Sequence, residues 1–249
     1  MITNYHRPST IEDVDALLDR KNVETKIIAG GYYINRTRSE QNLEVADIQS
    51  LGLDRIEIKG RMVHVGANVR LNELLETESL PDTLYSVLKR ESTTNLRNQI
   101  TVPGLIKSAD GRSGLLTWLL GVEAKIVFAD GSEASVGEFL PERASNRKLI
   151  LDIKFPAEIS GSYHQIARTP ADLPVICVQL TRWDSGRIRV IIGGFGDYPR
   201  LAFDGNDQGG IVEAVKNSCY DSTDEWASAE YRIFAGETLV KRCFEEVQG

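Results

Sequence analysis

The stretches Ile27-Ile28-Ala29-Gly30-Gly31-Tyr32-Tyr33-Ile34 and Leu96-Arg97-Asn98-Gln99-Ile100-Thr101-Val102-Pro103-Gly104-Leu105 carry most of the information in this chain. The first begins as a short apolar run, which is typical of a buried strand, and continues into two glycines. Because glycine has no Cβ, backbone N–H groups in such loops can approach an anion such as a diphosphate. Taken alone, Ala-Gly-Gly after a strand more often marks a simple tight turn.

Composition indicates an ordinary globular protein. The chain has 249 residues, of which 41% are hydrophobic and 26% charged, enough for one large domain or two modest ones. The formal net charge of -7 argues against nucleic acid as a partner. The basic residues are scattered, so no cationic run indicates a membrane surface.

Cysteine and histidine usage favours a reducing cytoplasm and no metal site. The residues concerned are Cys177, Cys219, Cys243, His6, His64 and His164. An odd number of widely spaced cysteines excludes a disulfide framework and a four-cysteine iron–sulfur cluster on this chain alone. The histidines share no short metal-ligand spacing. The first residues have no apolar signal core, and no apolar run is long enough to span a bilayer.

Periodicity in the first part of the chain predicts a mixture of helices and strands. Ser9-Thr10-Ile11-Glu12 resembles a capping box that opens a helix. Further helices are expected at about 71–91, interrupted by Pro81, and at 113–120. Short strands are predicted at 26–29, 45–48, 56–58, 62–67, 125–128, 133–136 and 149–155.

The composition changes near Pro156 to Ser162, which is expected to be a small polar linker. The boundary near residue 157 predicts a larger α+β domain over 1–157 and a smaller one over 158–249. In the smaller domain, strands are expected near 174–180 and 187–192. Helices are expected near 210–217 and from Trp226 toward the C-terminus.

Several stretches together resemble the FAD-binding, or medium, subunit of the molybdenum hydroxylases, the xanthine dehydrogenase and CO dehydrogenase family. Besides the two loops, they are Tyr5–Glu12, Val65–Ala67, Leu149–Pro156, Tyr163–Asp172 and Ala229–Arg232. The spacing is similar to that of the short subunits of selenium-dependent, purine-type members. The resemblance implies a two-lobed FAD-binding domain of the vanillyl-alcohol-oxidase type, with lobes of about 1–55 and 56–157. A small α+β C-terminal domain, an antiparallel sheet with helices, would follow.

The resemblance also implies which residues hold FAD, whose two phosphates must leave water. On one side of the diphosphate it places Ile28, Ala29, Gly30, Gly31, Tyr32, Tyr33 and Ile34. On the other side it places Thr101, Gly104, Leu105 and Ser108. Ile150 and Leu151 would line the adenine, and Tyr163 and His164 would lie near the isoalloxazine.

Three departures from the family pattern reduce the expected contacts to FAD. Tyr32-Tyr33 stands where relatives have a polar pair, and Pro103-Gly104-Leu105 stands where they have Gly-Gly-Asn. Proline removes one N–H donor, and leucine removes one polar side chain. Gly114 stands where relatives often carry aspartate. Both a decayed site and a divergent site with rearranged contacts would show this pattern.

Individual residues have alternative interpretations. Tyr32 and Tyr33 can stack on a flavin or simply cover the end of a strand. His164 is more often a surface histidine than a flavin partner. Gly193-Gly194-Phe195-Gly196 resembles a phosphate loop, but no Lys-Ser/Thr pair follows it, which favours a turn.

The sequence thus predicts a cytoplasmic oxidoreductase subunit that binds FAD. Electrons would arrive from an iron–sulfur subunit, whose partner carries the molybdenum cofactor, and leave to NAD or another acceptor. An alternative is a degenerate subunit that keeps the fold, has lost FAD and docks its partners. A third alternative, an unrelated small-molecule binding protein, requires both glycine loops to be coincidental.

Overall fold

The computed structural model of the protein describes residues 2–36 and 43–248. The chain divides into two compact units. The first unit comprises the chain up to residue 77 together with 94–108 and 125–155. The second unit comprises 78–93, 109–124 and the chain from residue 156 onward. The sequence had assigned 78–93 and 109–124 to the first domain; the structure groups these two helical segments with the C-terminal sheet.

The described residues form a mixture of helices and strands. The strands are β1 (Ile2–His6), β2 (Thr25–Ile28), β3 (Leu43–Asp47), β4 (Ile56–Lys59), β5 (Met62–Gly66), β6 (Lys125–Phe128), β7 (Glu133–Ser135), β8 (Ile150–Pro156), β9 (Ser160–Ile166), β10 (Ile176–Arg182), β11 (Ile188–Gly193) and β12 (Arg200–Gly205). The helices are α1 (Ile11–Leu18), α2 (Tyr32–Arg36), α3 (Leu71–Glu76), α4 (Asp82–Glu91), α5 (Thr94–Arg97), α6 (Val102–Ser108), α7 (Gly114–Gly121), α8 (Val136–Glu142), α9 (Ile211–Asn217) and α10 (Ala229–Gln248).

The first unit contains two sheets. One is parallel, in the order β1-β3-β2, and its central strand β3 is buried along its whole length. This burial is expected of a parallel strand that is covered on both faces. The other sheet has five strands in the order β4-β5-β8-β6-β7. Gly60, at φ 62°, makes the tight turn between β4 and β5, in the place where the sequence predicted a hairpin.

A shared hydrophobic cluster joins the two sheets of the first unit. Val14 and Leu18 of α1 pack there with Ile48, Ala67 and Leu149. Burying these side chains is the main stabilising contribution at this junction, at roughly 25 cal/mol for each Å² of apolar surface removed from water. A backbone hydrogen bond orients the segment after β5 relative to β8: the Ala67 amide donates to the Leu151 carbonyl at 3.0 Å.

The second unit is built on a four-stranded antiparallel sheet in the order β12-β11-β10-β9. Helices α9 and α10 cover it and share one apolar core with its inward-facing residues. Helix α7 is buried at all eight positions, which explains why its sequence is apolar on every side. The predicted α+β class with a C-terminal antiparallel sheet is therefore confirmed.

Some local predictions need correction. Ser160-Gly161-Ser162 is not part of a linker but opens β9, where it pairs with residues 180–182 of β10. The first helix is capped by Thr10, whose Oγ1 accepts from the Asp13 amide at 3.2 Å. The sequence did not predict α2, α6, α8 or β12, because these short elements lack a clear period.

Arg232 on α10 is a fully buried cation with a complete set of partners. It is 0% exposed, and its guanidinium donates to both carboxylate oxygens of Asp224 at 2.8 and 2.9 Å. It also donates to the carbonyls of Val175 at 2.8 Å, Gly194 at 3.3 Å and Ser222. The side chain thus ties α10 to three loops of the second unit.

We expect Arg232→Met to lower the free energy of unfolding by about 3–5 kcal/mol, because it leaves buried carbonyls and a carboxylate without their donor. Chemical unfolding in urea measures this. Lys241→Met is the matched control on the same helix. It removes one charge from an exposed i,i+4 pair with Glu237, which is worth less than about 1 kcal/mol. Equal effects of the two substitutions would contradict the assignment.

Candidate functional site

A cavity of about 740 Å³ lies within the first unit, in the size range of small-molecule and cofactor sites. Both glycine loops line it, together with the segment 143–150. Leu18, Ile48 and Ala67 contribute apolar surface. The predicted residues on its wall are Ile28, Ala29, Gly30, Gly31, Tyr32, Tyr33, Ile34, Thr101, Gly104, Ser108 and Ile150.

The two glycine loops come into direct backbone contact at Gly30. A Cβ placed on Gly30 would lie 1.5 Å from the carbonyl oxygen of Gln99 and 2.7 Å from its carbonyl carbon. No side chain can be accommodated at that separation, so only glycine allows the first loop to approach the second. The glycine that marks the first loop in the sequence is therefore required by packing within the protein.

Two backbone amides of the first loop, those of Gly30 and Gly31 on the cavity wall, have no partner among the described residues. Gly31 adopts φ 74°, a left-handed conformation that favours glycine. The carbonyl of Ala29 accepts a hydrogen bond from Gln49 Nε2 at 2.6 Å. Within the described part of the chain, the amides of Gly30 and Gly31 donate to no other residue. Such amides are suited to bind an anion without adding fixed charge.

Several backbone donors of the second loop are already engaged by other groups of the protein. The amide of Val102 donates to a backbone carbonyl outside the loop at 3.2 Å, and that of Leu105 donates to the Thr101 carbonyl at 2.9 Å. The Gly104 amide donates to Thr101 Oγ1 at 3.3 Å, and Pro103 has no N–H. Thr101 keeps its own hydroxyl hydrogen for a further acceptor. The wall formed by α6 therefore offers fewer backbone donors than the glycine pattern predicts.

The other predicted contacts on this side differ in character. Ser108 Oγ donates to the Gly104 carbonyl at 2.6 Å, so its hydrogen is already used. Leu105 is buried, with 4% of its surface exposed, and Leu151 packs against the hydrophobic cluster that joins the two sheets. Ile150 is buried at the edge of the cavity. The assignment of Ile150 and Leu151 to the adenine stays a prediction.

Lys107 is a cavity residue that the sequence analysis did not single out. Its Nζ donates to the carbonyls of Asn146 at 2.5 Å and Arg143 at 3.4 Å and lies 5.3 Å from the centre of the Phe139 ring. Burial lowers the pKa of Lys107 to about 8, since desolvation disfavours the charged form. The only sequence signal is its place on α6, three residues after Gly104.

Lys148, on the same cavity wall, is electrostatically different. Its Nζ pairs with Asp130 at 2.6 Å and lies 5.4 Å from the centre of the Phe128 ring. Its hydrogen bond, with those from Ser132, holds the pKa of the Asp130 carboxyl well below its usual range. The charge of Lys148 is thus balanced within the protein.

The predicted isoalloxazine residues belong to the second unit. Tyr163 is buried, and its hydroxyl donates to Gln165 Oε1 at 2.8 Å. A Cβ at Gly114 would lie 2.5 Å from this hydroxyl, which gives a packing reason for glycine there. His164 Nε2 lies 2.9 Å from Glu246 Oε1. The roles of Tyr163 and His164 toward a flavin stay predictions.

The remaining motifs have local structural explanations. Gly193 to Gly196 forms a turn after β11, in which the Gly194 amide donates to the Gly111 carbonyl at 2.6 Å and the Gly196 carbonyl accepts from the Gly111 amide at 2.9 Å. Among the described residues, no three His, Cys, Asp or Glu side chains are grouped as metal ligands would be. None of the described helices combines the length and apolar character needed to cross a membrane.

Fold and cavity together define a class: a protein that binds a large cofactor in a glycine-lined cavity between two small sheets. The size of this cavity and the amides of Gly30 and Gly31 on its wall suit a large phosphate-bearing cofactor such as FAD. Residues 1–158 match the family described as FAD binding domain in molybdopterin dehydrogenase. The chain therefore belongs to this family of FAD-binding oxidoreductase subunits.

Solved structures share the fold over nearly their whole length, and a relative matches in sequence. One chain of the carbon monoxide dehydrogenase from Hydrogenophaga pseudoflava superimposes with a TM-score of 0.85 at 20% identity, over 100% of this chain and 98% of that one. One chain of quinoline 2-oxidoreductase from Pseudomonas putida 86 gives 0.81 at 18% identity, over 99% and 97%. The uncharacterized protein YgfM of Escherichia coli K12 is 26% identical over 100% of this chain and 97% of its own.

We expect Gly30→Ala to lower the free energy of unfolding by about 1–3 kcal/mol, because its Cβ forces the two loops apart. Urea unfolding measures the change. Gly210→Ala is the control: a Cβ there meets no atom within 4 Å and its φ is -109°, so a loss of no more than about 1 kcal/mol is expected. A Gly30→Ala protein as stable as this control would show that the loops do not need their close approach.

Proposed function

We propose that this chain is the FAD-binding electron-transfer subunit of a multi-subunit molybdenum hydroxylase. The observation that carries the proposal is the cavity at the junction of the two glycine loops, in a chain whose family binds FAD. Bound FAD accepts and passes on electrons, while the protein supplies binding, orientation and electrostatics. The likeness to short subunits of selenium-dependent, purine-type members stays a prediction.

Partner chains complete the proposed route. The solved proteins of similar fold include molybdenum enzymes, among them a Cu,Mo-CO dehydrogenase. In this proposal an iron–sulfur subunit delivers electrons, a molybdenum cofactor subunit determines the substrate, and NAD or another acceptor receives the electrons.

The three cysteines of this chain are core residues. Cys177, Cys219 and Cys243 are buried without a disulfide, and burial raises the pKa of each thiol. They act as small core residues rather than as cluster ligands.

The residues of the first unit have separable tasks in binding. Gly30 and Gly31 present amides to the diphosphate, and the Thr101 hydroxyl donates from the opposite wall. Ile150 offers an apolar surface for the adenine. The hydrophobic cluster beneath β2 and β8 holds the two walls at a fixed separation, which keeps the donors organised before the ligand binds.

A second candidate function is a structural subunit that has lost FAD and docks its partners. The hydrogen bonding of the second loop favours it, because the amides of Val102, Gly104 and Leu105 are engaged within the protein and Pro103 has none. In this case the glycine contact would serve the fold alone. FAD would then not raise the thermal stability of the chain, whereas a true ligand must do so by mass action.

The two candidates separate in a visible absorption spectrum of the purified chain, recorded after FAD is added and the excess removed. We expect flavin bands that correspond to about one FAD per chain, and an unfolding temperature that rises with FAD concentration. Riboflavin, which lacks the diphosphate, is the control ligand and should give a smaller rise. A flat spectrum from folded protein and from its native complex would establish the structural subunit instead.

A further inference from the structure

We infer that the ammonium group of Lys107 is the charged ligand of the FAD diphosphate on the α6 wall of the cavity. The inference rests on the proposed function, since it names the group that balances the phosphate charge in the same site. It predicts that one side chain, rather than the glycine backbone of the second loop, provides most of the anion recognition on this wall.

The first argument is the unbalanced charge. The Lys107 Nζ contacts two carbonyl oxygens and the Phe139 ring, all of which carry only partial charge. Burial lowers the pKa of Lys107, and no carboxylate of the described residues opposes that effect. A cation taken partly out of water without a counter-charge is costly. The attraction between an anion in the cavity and the ammonium group offsets this desolvation cost. The site therefore favours a negatively charged ligand.

The second argument is the shortage of other donors on α6. The amides of Gly104 and Leu105 and the hydroxyl of Ser108 are already engaged, and Pro103 lacks an N–H. An ammonium group has three hydrogens, of which two are directed to the carbonyls of Arg143 and Asn146. The third has no acceptor in the described part of the chain and can be donated to a phosphate oxygen. A charge-assisted hydrogen bond of this kind is about twice as strong as a neutral one.

The third argument is the contrast with Lys148. Both lysines line the cavity and both lie near a phenylalanine ring. Lys148 has a carboxylate partner, Asp130, at 2.6 Å, whereas the described contacts of Lys107 are to backbone carbonyls. Lys148 is also exposed, whereas Lys107 is half-buried, so Lys148 serves as the control for an exposed lysine on the same wall whose charge is already paired.

The charge on Lys107 also gives FAD binding a pH dependence. Its pKa of about 8 in the ligand-free protein means that the charged form predominates below pH 8. A diphosphate anion raises this pKa, so affinity is full below about pH 8 and falls as the pH rises above it. The other ionisable groups that face the cavity are Glu24, Lys26, Tyr32, Tyr33, Arg143, Arg147 and Lys148.

The test compares the full-length wild type with Lys107→Met and Lys148→Met by fluorescence titration with FAD. Methionine keeps the unbranched stem and removes the charge. We expect Lys107→Met to weaken FAD binding about tenfold or more, from the loss of a hydrogen bond to a charged group. We expect Lys148→Met to change it less than about threefold, since Asp130 already balances that charge. Riboflavin should bind wild type and Lys107→Met alike.

The pH series provides a second readout. Between pH 6.5 and 9, the FAD affinity of the wild type should fall above pH 8, and Lys107→Met should not show that fall. Lys107→Gln, which keeps a hydrogen-bond donor without charge, serves if the methionine variant does not fold, as judged by circular dichroism. The wild-type series needs no variant at all.

The outcomes are distinguishable. If the wild type binds no FAD, the proposed function fails and this inference falls with it. If the wild type binds FAD, and the charge-removing variant of Lys107 binds it as tightly or loses no more affinity than Lys148→Met, the inference is overturned while the proposed function stands. A fall in wild-type affinity above pH 8 that Lys107→Met reproduces also overturns it.

Discussion

The backbone contact between Gly30 and the Gln99 carbonyl is the constraint on which the cavity of this protein depends. It brings together two loops that are far apart in sequence, and it forbids any side chain at the point of contact. The hydrophobic cluster of Val14, Leu18 and Leu149 holds the two sheets in the position that this contact requires. The hydrophobic cluster supplies most of the stabilising free energy at this junction, and the Gly30–Gln99 contact fixes the relative position of the two loops.

The two walls of the cavity are built differently, although both carry glycine. The amides of Gly30 and Gly31 have no partner among the described residues, while those of Val102, Gly104 and Leu105 in the second loop are engaged. Side chains at the two ends of α6 already engage the backbone of Gly104: Thr101 Oγ1 accepts from its amide, and Ser108 Oγ donates to its carbonyl. Pro103, which has no N–H, and the engaged amides beside it leave the second loop with few backbone donors. In the proposed site, the side chains of Thr101 and Lys107 take the place of these donors.

The elements of this fold differ in how strongly the local sequence specifies them, for physical reasons. Strands β2 and β8 were found because continuous apolar runs bounded by glycine or proline are distinctive. The segment 160–162 was mistaken for a linker, because small polar residues are typical of loops and nothing local shows that they pair with β10. The assignment of α4 and α7 to the second unit depends on contacts with a sheet formed more than thirty residues later.

The sequence by itself determined the family, the cofactor and the two loops, since these depend on residue types and their order: glycine where backbone must approach, and apolar runs where strands are buried. Only the tertiary structure decided which hydrogen-bond donors remain for a ligand, because the acceptors that engage the other donors include residues distant in the chain. It also identified Lys107. A lysine in sequence is usually a solvated surface group. Only the fold places this one against carbonyls and a phenylalanine ring, with no carboxylate partner among the described residues.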